Sequence, residues 1–519
     1  RDVRGAARLM QIALAADPKN PALLRRTHLL LVNSGQIEDA LRVAGRILAI
    51  DPKSSMANML FAVEAAKVGK FDESVRHLNA LPKRGGNEIL VPLLMGWAHL
   101  GRRDHEAAVA AVAPLDKTRG FKIFYQLHTA LILDAAGRGP EAEKFYLLTI
   151  KGKARPSLRA VQALASYYQR SGKVDKARAL FADYLKHAPR SNLVADALKR
   201  LDAGVPIAAW SGTATAGMAE ALFDVASALQ QDNIVHSALI FTRMALYLRP
   251  KFPAGLLLAA DILEVRGRKE EAIELYTKVD IKSPMSWPAR LSMARLYDEL
   301  DRRRESVRLL ERMARERTDD WEALFTLGDI YRSHENFRDA VRAYDRAFKR
   351  LPKIEKRHWS LFYARGIALE RSKNWKRAEK DLLKAMELRP DHPHVLNYLG
   401  YSWADQGINL ERAKKMLRRA VELRKRDGYI VDSLGWVLYR TGEYKEAVRQ
   451  LERAVQLRPQ DATINDHLGD AYWKVGRLKE AQFQWSRALS LDPEKAVIST
   501  IKTKLRRGLD NGKKNGARK

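Results

Sequence analysis

Cysteine is missing altogether from the 519 residues, which removes disulfides, thiolate zinc sites and thiol nucleophiles together and is compatible with an oxidising compartment. No apolar run approaches the roughly 20 residues that a spanning helix needs; the richest, 89–100, is short and contains Pro92 and His99. There is no GxxxxGK(S/T) phosphate loop, no GxSxG elbow and no HExxH pair, so the chain offers no catalytic motif and reads as a non-enzyme without cofactor or metal. His392 and His394, with Asp391 beside them, lack further ligands at metal-binding spacing. Acidic residues are also in short supply: 93 Lys and Arg against 62 Asp and Glu leave a net charge of +31.

What fills the chain is a repeat. The segments YLGYSWADQG, SLGWVLYRTG and HLGDAYWKVG place Gly400, Gly435 and Gly469 at spacings of 35 and 34. Ala413, Ala447 and Ala481 follow at intervals of 34, as do Ala420, Ala454 and Ala488, and Pro459 and Pro493. Small residues at fixed points let paired helices approach closely, the apolar positions between them recur at helical spacing, and the proline stops the second helix. Gly442 and Gly476 fall at the turn between the two helices, where a positive φ is often required. A period of 34 with Leu-Gly in its first half, two alanines in its second and a closing proline resembles the tetratricopeptide repeat family. That resemblance implies an all-α, right-handed α-solenoid of about 13 helix pairs with a C-terminal capping helix.

The pattern divides the chain. Residues 1–200 read as a half repeat, with Ala6, Ala13 and Pro18 at the second-helix positions, followed by five repeats. Starting mid-repeat at Arg1, the chain is expected to have something upstream, at least a first helix, with room ahead of it for a signal or anchor segment. Residues 201–218 lose the period and gain Gly, Pro and Thr, which reads as a hinge or an ordered loop over a neighbouring repeat. Eight repeats occupy 219–493, where Gly366 follows Gly328 by 38 because IEKR lengthens a connection. A capping helix and a basic tail, expected to be disordered from 510, complete 494–519.

In the family that the chain resembles, the first helix of each pair lines a concave groove. Carried onto this sequence, the groove positions are Asn397 and Tyr401, then Asp432, Trp436 and Tyr439, then Asp466, Asp470 and Trp473. This aromatic and acidic strip suits a protein partner, since rings supply area at low entropic cost and carboxylates take main-chain amides or basic side chains. The competing reading is that Trp436 and Trp473 pack between adjacent first helices. The Lys, Asn and Arg pattern with which chaperone-binding relatives clamp a carboxylate is not reproduced.

Positive charge is concentrated: 151–200 carries 12 Lys and Arg against 3 Asp and Glu, and 351–519 carries 37 against 21, whereas 201–300 carries 10 against 12. Nucleic-acid binding would interleave aromatics with the basic runs, yet the aromatics stand beside Asp432, Asp466 and Asp470, which argues against it. The stretch from Tyr398 to Leu489 looks like the end of long repeat lipoproteins of Gram-negative bacteria, one type of which is an outer-membrane adaptor for a carboxyl-terminal processing protease. The resemblance implies a periplasmic scaffold or adaptor, tethered to the outer membrane through residues ahead of Arg1, with that protease and its substrates as partners. The alternatives are a cytoplasmic assembly platform of the same fold and a basic RNA-binding solenoid.

Overall fold

One repeat shows how the sequence makes the structure. The Asp427 side chain accepts hydrogen bonds from the N–H groups of Tyr429 and Ile430 and so caps the helix Gly428–Arg440. Midway along it Gly435 faces the next helix so closely that a Cβ there would lie 2.5 Å from Leu451. The helix ends on Gly442 at φ +82°, a left-handed turn. Helix Tyr444–Leu457 then returns, burying Ala447, Val448, Leu451 and Ala454, and Pro459 follows. The left-handed residue recurs at the same place along the chain: Gly35, Gly69, Arg103, Gly137 and Gly172, then Asn233, Gly267, Asp301, Glu335, Lys373, Gly407, Gly442 and Gly476.

The structure, a computed structural model, describes residues 2–82, 84–118, 120–151, 156–188, 191–207 and 212–509, Asn192 without its side chain. Among these there is no strand. The chain forms two compact units, Arg1–Ser306 and Val307–Lys519. The first begins with α1 (Val3–Ala16) and continues as the pairs α2 (Pro21–Ser34) and α3 (Ile37–Ile50), α4 (Ser55–Lys67) and α5 (Phe71–Asn79), and α6 (Asn87–Gly101) and α7 (His105–Val112), trailed by the short α8 (Pro114–Lys117). Then come α9 (Lys122–Ala135) and α10 (Gly139–Ile150), α11 (Leu158–Arg170) and α12 (Val174–His187), and the single α13 (Asn192–Asp202). The pairs α14 (Ala214–Gln231) and α15 (Val235–Leu248), and α16 (Pro253–Val265) and α17 (Lys269–Thr277), lead to α18 (Ser286–Glu299); α19 (Arg303–Glu316) runs across the boundary.

The second unit continues with α20 (Glu322–Ser333) and α21 (Phe337–Phe348), α22 (Trp359–Arg371) and α23 (Trp375–Leu388), and α24 (Pro393–Gln406) and α25 (Leu410–Leu423). It ends with α26 (Gly428–Arg440) and α27 (Tyr444–Leu457), α28 (Ala462–Lys474) and α29 (Leu478–Ser490), and α30 (Lys495–Arg507). The lengthened connection before α22 holds a single 3-10 turn, Lys356–His358. The fold is the all-α array of helix pairs with a terminal helix that the period implies.

Of the stretch 201–217, the described residues include the last two of α13 and the start of α14. Residues 214–217 are the first turn of α14, capped by Thr213, whose hydroxyl accepts from Ala216 N–H; residues 208–211 and the tail 510–519 lie outside the described residues. Gly204 is a left-handed turn, but Gly217 serves packing instead. α14 folds back onto α4, α6 and α9, the first helices of earlier pairs, and α15 onto α2 and α4. A Cβ at Gly217 would fall 2.2 Å from the ring of Trp97, which is 2% exposed. Trp97 Nε1 donates to His128 Nδ1 at 3.1 Å, which leaves the imidazole proton on Nε2, 3.3 Å from Asp224 of α14. Glu220, also on α14 and buried, is held by Arg159 and by Arg249 at 2.8 Å. Thr215 Oγ1 donates to Ala66 O at 2.9 Å and Tyr247 OH to Glu64 at 2.6 Å. The chain itself thus occupies the inner face of its first repeats.

Candidate partner-binding groove

In the second unit the first helices α20, α22, α24 and α26 carry no comparable helix across their inner face among the described residues. The predicted groove residues lie on α24, α26 and α28, because a 34-residue repeat returns each position to the same face. Asn397 and Tyr401 are half-buried on α24, and Asn397 Oδ1 has no hydrogen-bond partner. Burial first, then the carboxylates of Asp405, Asp432, Glu370 and Glu494, keep the Tyr401 phenol protonated well above its ordinary range.

Asp432, Trp436 and Tyr439 form one cluster with a residue that the groove positions did not include, His467. Its Nδ1 donates to both Asp432 oxygens, at 3.0 and 3.1 Å. The imidazole stacks on Trp436 with centroids 4.1 Å apart, and Trp436 stacks on Tyr439 at 5.0 Å. Trp436 therefore packs against the next first helix on one side while remaining half-buried. Burial opposes charge on His467, but Asp432 in contact, with Asp466 and Asp470 beyond it, outweighs burial and raises its pKa. Burial likewise raises the Tyr439 phenol, helped by Asp470.

Asp466, Asp470 and Trp473 form a second cluster, and the chain's own α30 takes it up. Lys504 Nζ donates to Asp466 at 2.8 and 2.9 Å and to Asp470 at 2.8 Å, and Trp485 Nε1 donates to Asp470 at 2.8 Å. Burial disfavours the Lys504 charge, yet the two carboxylates raise its pKa on balance. Trp473 packs 5.4 Å from Trp485, centroid to centroid, and against Gly508, where a Cβ would meet its ring at 1.9 Å. These three residues are committed within the chain, whereas Asn397, Tyr401, Trp436 and Tyr439 keep part of their surface in the groove.

Further groove residues escape the counting of positions. Tyr398 donates to Glu370 at 2.8 Å and meets Tyr363 edge-on at 6.0 Å, so rings and carboxylates continue back to α22. The sequence held a signal for this: the residue just before each Leu-Gly is Tyr398, Ser433 and His467, and the two large ones reach a carboxylate on the preceding first helix. The inner face from α22 to α28 thus gathers Glu370, Asp405 and Asp432 around tyrosines, with Glu494 contributed by the start of α30, in a chain of net charge +31.

Comparison with known proteins places the repeats. Family models described as tetratricopeptide repeat match residues 291–353, 325–393 and 462–495, and one described as TPR repeat matches 435–476. No curated protein matches the chain. Among solved structures it is similar to a chain of the APC/C hetero-tetramer Cut9-Hcn1, at 16% identity over 95% of this chain and 96% of that one, with a TM-score of 0.41. It is similar to yeast Tom70 at 13% identity over 98% and 92%, with a TM-score of 0.31. It is also similar to MamA of Desulfovibrio magneticus RS-1, at 18% identity over 33% and 94%, with a TM-score of 0.29.

Proposed function

We propose that this chain is a non-catalytic scaffold whose second unit holds an extended, positively charged segment of a partner protein. Stacked tetratricopeptide helix pairs are suited to protein–protein interaction, and the observation that carries the reading is that, among the described residues, no helix lies across the inner face of α22, α24 and α26. There the half-buried rings of Tyr401, Trp436 and Tyr439 stand among the carboxylates of Glu370, Asp405 and Asp432. Rings bind an extended chain through area at small entropic cost. Clustered carboxylates draw in lysine and arginine side chains and repel acidic ones, which sets specificity and encounter rate more than affinity.

The test is direct binding of fluorescent extended peptides to the full chain, matched in length and differing in sign of charge. A Lys/Arg-rich peptide is expected to bind and to perturb tryptophan emission, and its binding is expected to fall in Tyr401→Ala and Trp436→Ala. Equal binding of basic and acidic peptides, or no effect of either substitution, would overturn the reading. A finer version makes the partner a carboxyl-terminal processing protease, with the chain acting as its adaptor in the bacterial cell envelope; the C-terminal repeat sequence is what supports it. Co-purification of the protease with the wild-type chain, lost in Trp436→Ala, is the expected result, and fractionation of the protein away from the envelope would remove that version.

A further inference from the structure

The first unit contains a buried guanidinium that makes no ion pair among the described residues. Arg243 of α15 is 9% exposed and packs against the turn between α2 and α3, its Nη1 3.2 Å from where a Cβ on Gly35 would stand. Its Nε and Nη2 have no hydrogen-bond partner, and no ion pair reaches it among the described residues. The nearby carboxylates are already engaged: Glu271 binds Arg268 at 2.6 and 2.8 Å and lies 3.3 Å from Arg4, while Glu274 takes Arg4 at 2.6 Å. Burial is the largest influence on Arg243 and lowers its pKa to about 10, with Glu271 pulling the other way. A buried guanidinium left in this condition is costly unless an anion meets it.

Arg243 is one of the residues lining a hollow of about 740 Å³ that opens beside the start of α3, with its Nε and Nη2 sealed behind the wall. No side chain caps α3, and the N–H groups of Ile37, Glu38 and Asp39 have no backbone partner, which leaves the positive end of a 14-residue helix facing the hollow. Arg42, Lys67, Lys251 and Lys278 line the hollow together with the buried Arg243, against the carboxylates of Glu38 and Asp39, and Asp39 is paired with Arg42. The wall is fixed: Tyr247 donates to Glu64 at 2.6 Å, and Lys67 Nζ lies 3.4 Å above the Tyr247 ring.

We propose that this hollow is a binding site for a phosphate-class oxyanion bearing several charges, with Arg243 as the buried anchor, the α3 N–H groups beside it and Lys251 and Lys278 at the mouth. Tetrahedral oxygens match both a guanidinium fork and a helix start, and several charges are needed to engage the anchor and the rim together. The site is separate from the groove of the second unit and does not depend on its function.

The test is calorimetric titration of the full chain with tripolyphosphate, inorganic phosphate and citrate at constant ionic strength. Tripolyphosphate is expected to bind with a stoichiometry of one and more tightly than citrate. Arg243→Met, which keeps most of the stem and removes the charge, should weaken it by about tenfold or more. The double variant Lys251→Ala/Lys278→Ala, on exposed side chains, decides the matter should Arg243→Met fail to fold, and a smaller but clear loss is expected there. Unchanged affinity in the folded variants, binding of several equivalents reduced equally by Lys445→Ala in the second unit, or equal binding of citrate would each overturn the proposal.

Discussion

In the first unit α14 lies against α4, α6 and α9, with Trp97 on the backbone of Gly217 and Asp224 beside His128. In the second unit the same faces of α22, α24 and α26 present Tyr363, Tyr398, Tyr401 and Trp436 and carry no returning helix among the described residues. The repeat is the same in both; what differs is whether a later helix with small residues on its contact side lies over the face. Ala214, Ala216 and Gly217 let a helix come close enough to fill a groove from within, whereas stacked rings and a surplus of carboxylates leave one to be filled from outside. The period of a helical repeat therefore specifies where a groove runs, and the residues of a distant helix decide whether it is available.

The sharpest way to break the comparison is to disturb the internal filling. Trp97→Ala should cost about 3–5 kcal/mol, as expected for a truncated buried aromatic. The loss should appear in the first unit alone when hydrogen exchange is followed during denaturant unfolding. Were α14 only resting on the inner face, protection of α4, α6 and α9 would be untouched.

Next comes the paired test on the open groove. Trp436→Ala is expected to weaken partner binding by about 2 kcal/mol or more with a smaller loss of stability. Trp473→Ala should instead destabilise the end of the unit, because its ring is covered by Gly508 and Trp485. Binding titrations and melts on the same two proteins separate the cases; matching profiles would show that both rings are packing.

A smaller effect is expected from pH. His467 titrates above its ordinary 6.5 in the folded chain, so its charge contributes stability that is complete below the unfolded value and is lost as pH rises through the folded one. Asp432→Asn removes the main attraction. The wild type should exceed this variant in melting temperature by more at pH 6 than at pH 8.5, and a pH-independent gap would mean that the pair carries no charge. The smallest effect is at a turn: Lys373 holds φ +66°, and Lys373→Gly should raise stability by about 0.5–1 kcal/mol in chemical denaturation.

Much of this was legible in the residues. Gly400, Gly435 and Gly469 announced close approach, and the structure places Leu417, Leu451 and Trp485 within 2.9 Å of where their Cβ atoms would stand. Proline and glycine marked helix ends and turns because their backbone chemistry acts locally. The return of α14 could not be read in this way. Its defining contact joins Trp97 to Gly217 across the whole run of intervening repeats, and small residues in that stretch carry the same local signal whether they form a loop or a close-packed helix. Groove positions counted within one repeat likewise found Asp432 and Asp466 but not His467 or Lys504, which reach them from two helices further along.

Lys504 carries a consequence for the end of the array. A stack of like units is a template for its own continuation, since the surface that each unit offers is the one the next would cover. α30 occupies that place after α29, and its single ammonium answers two carboxylates of α28 at once. Among the described residues, α30 thus holds the place that a further helix pair would take.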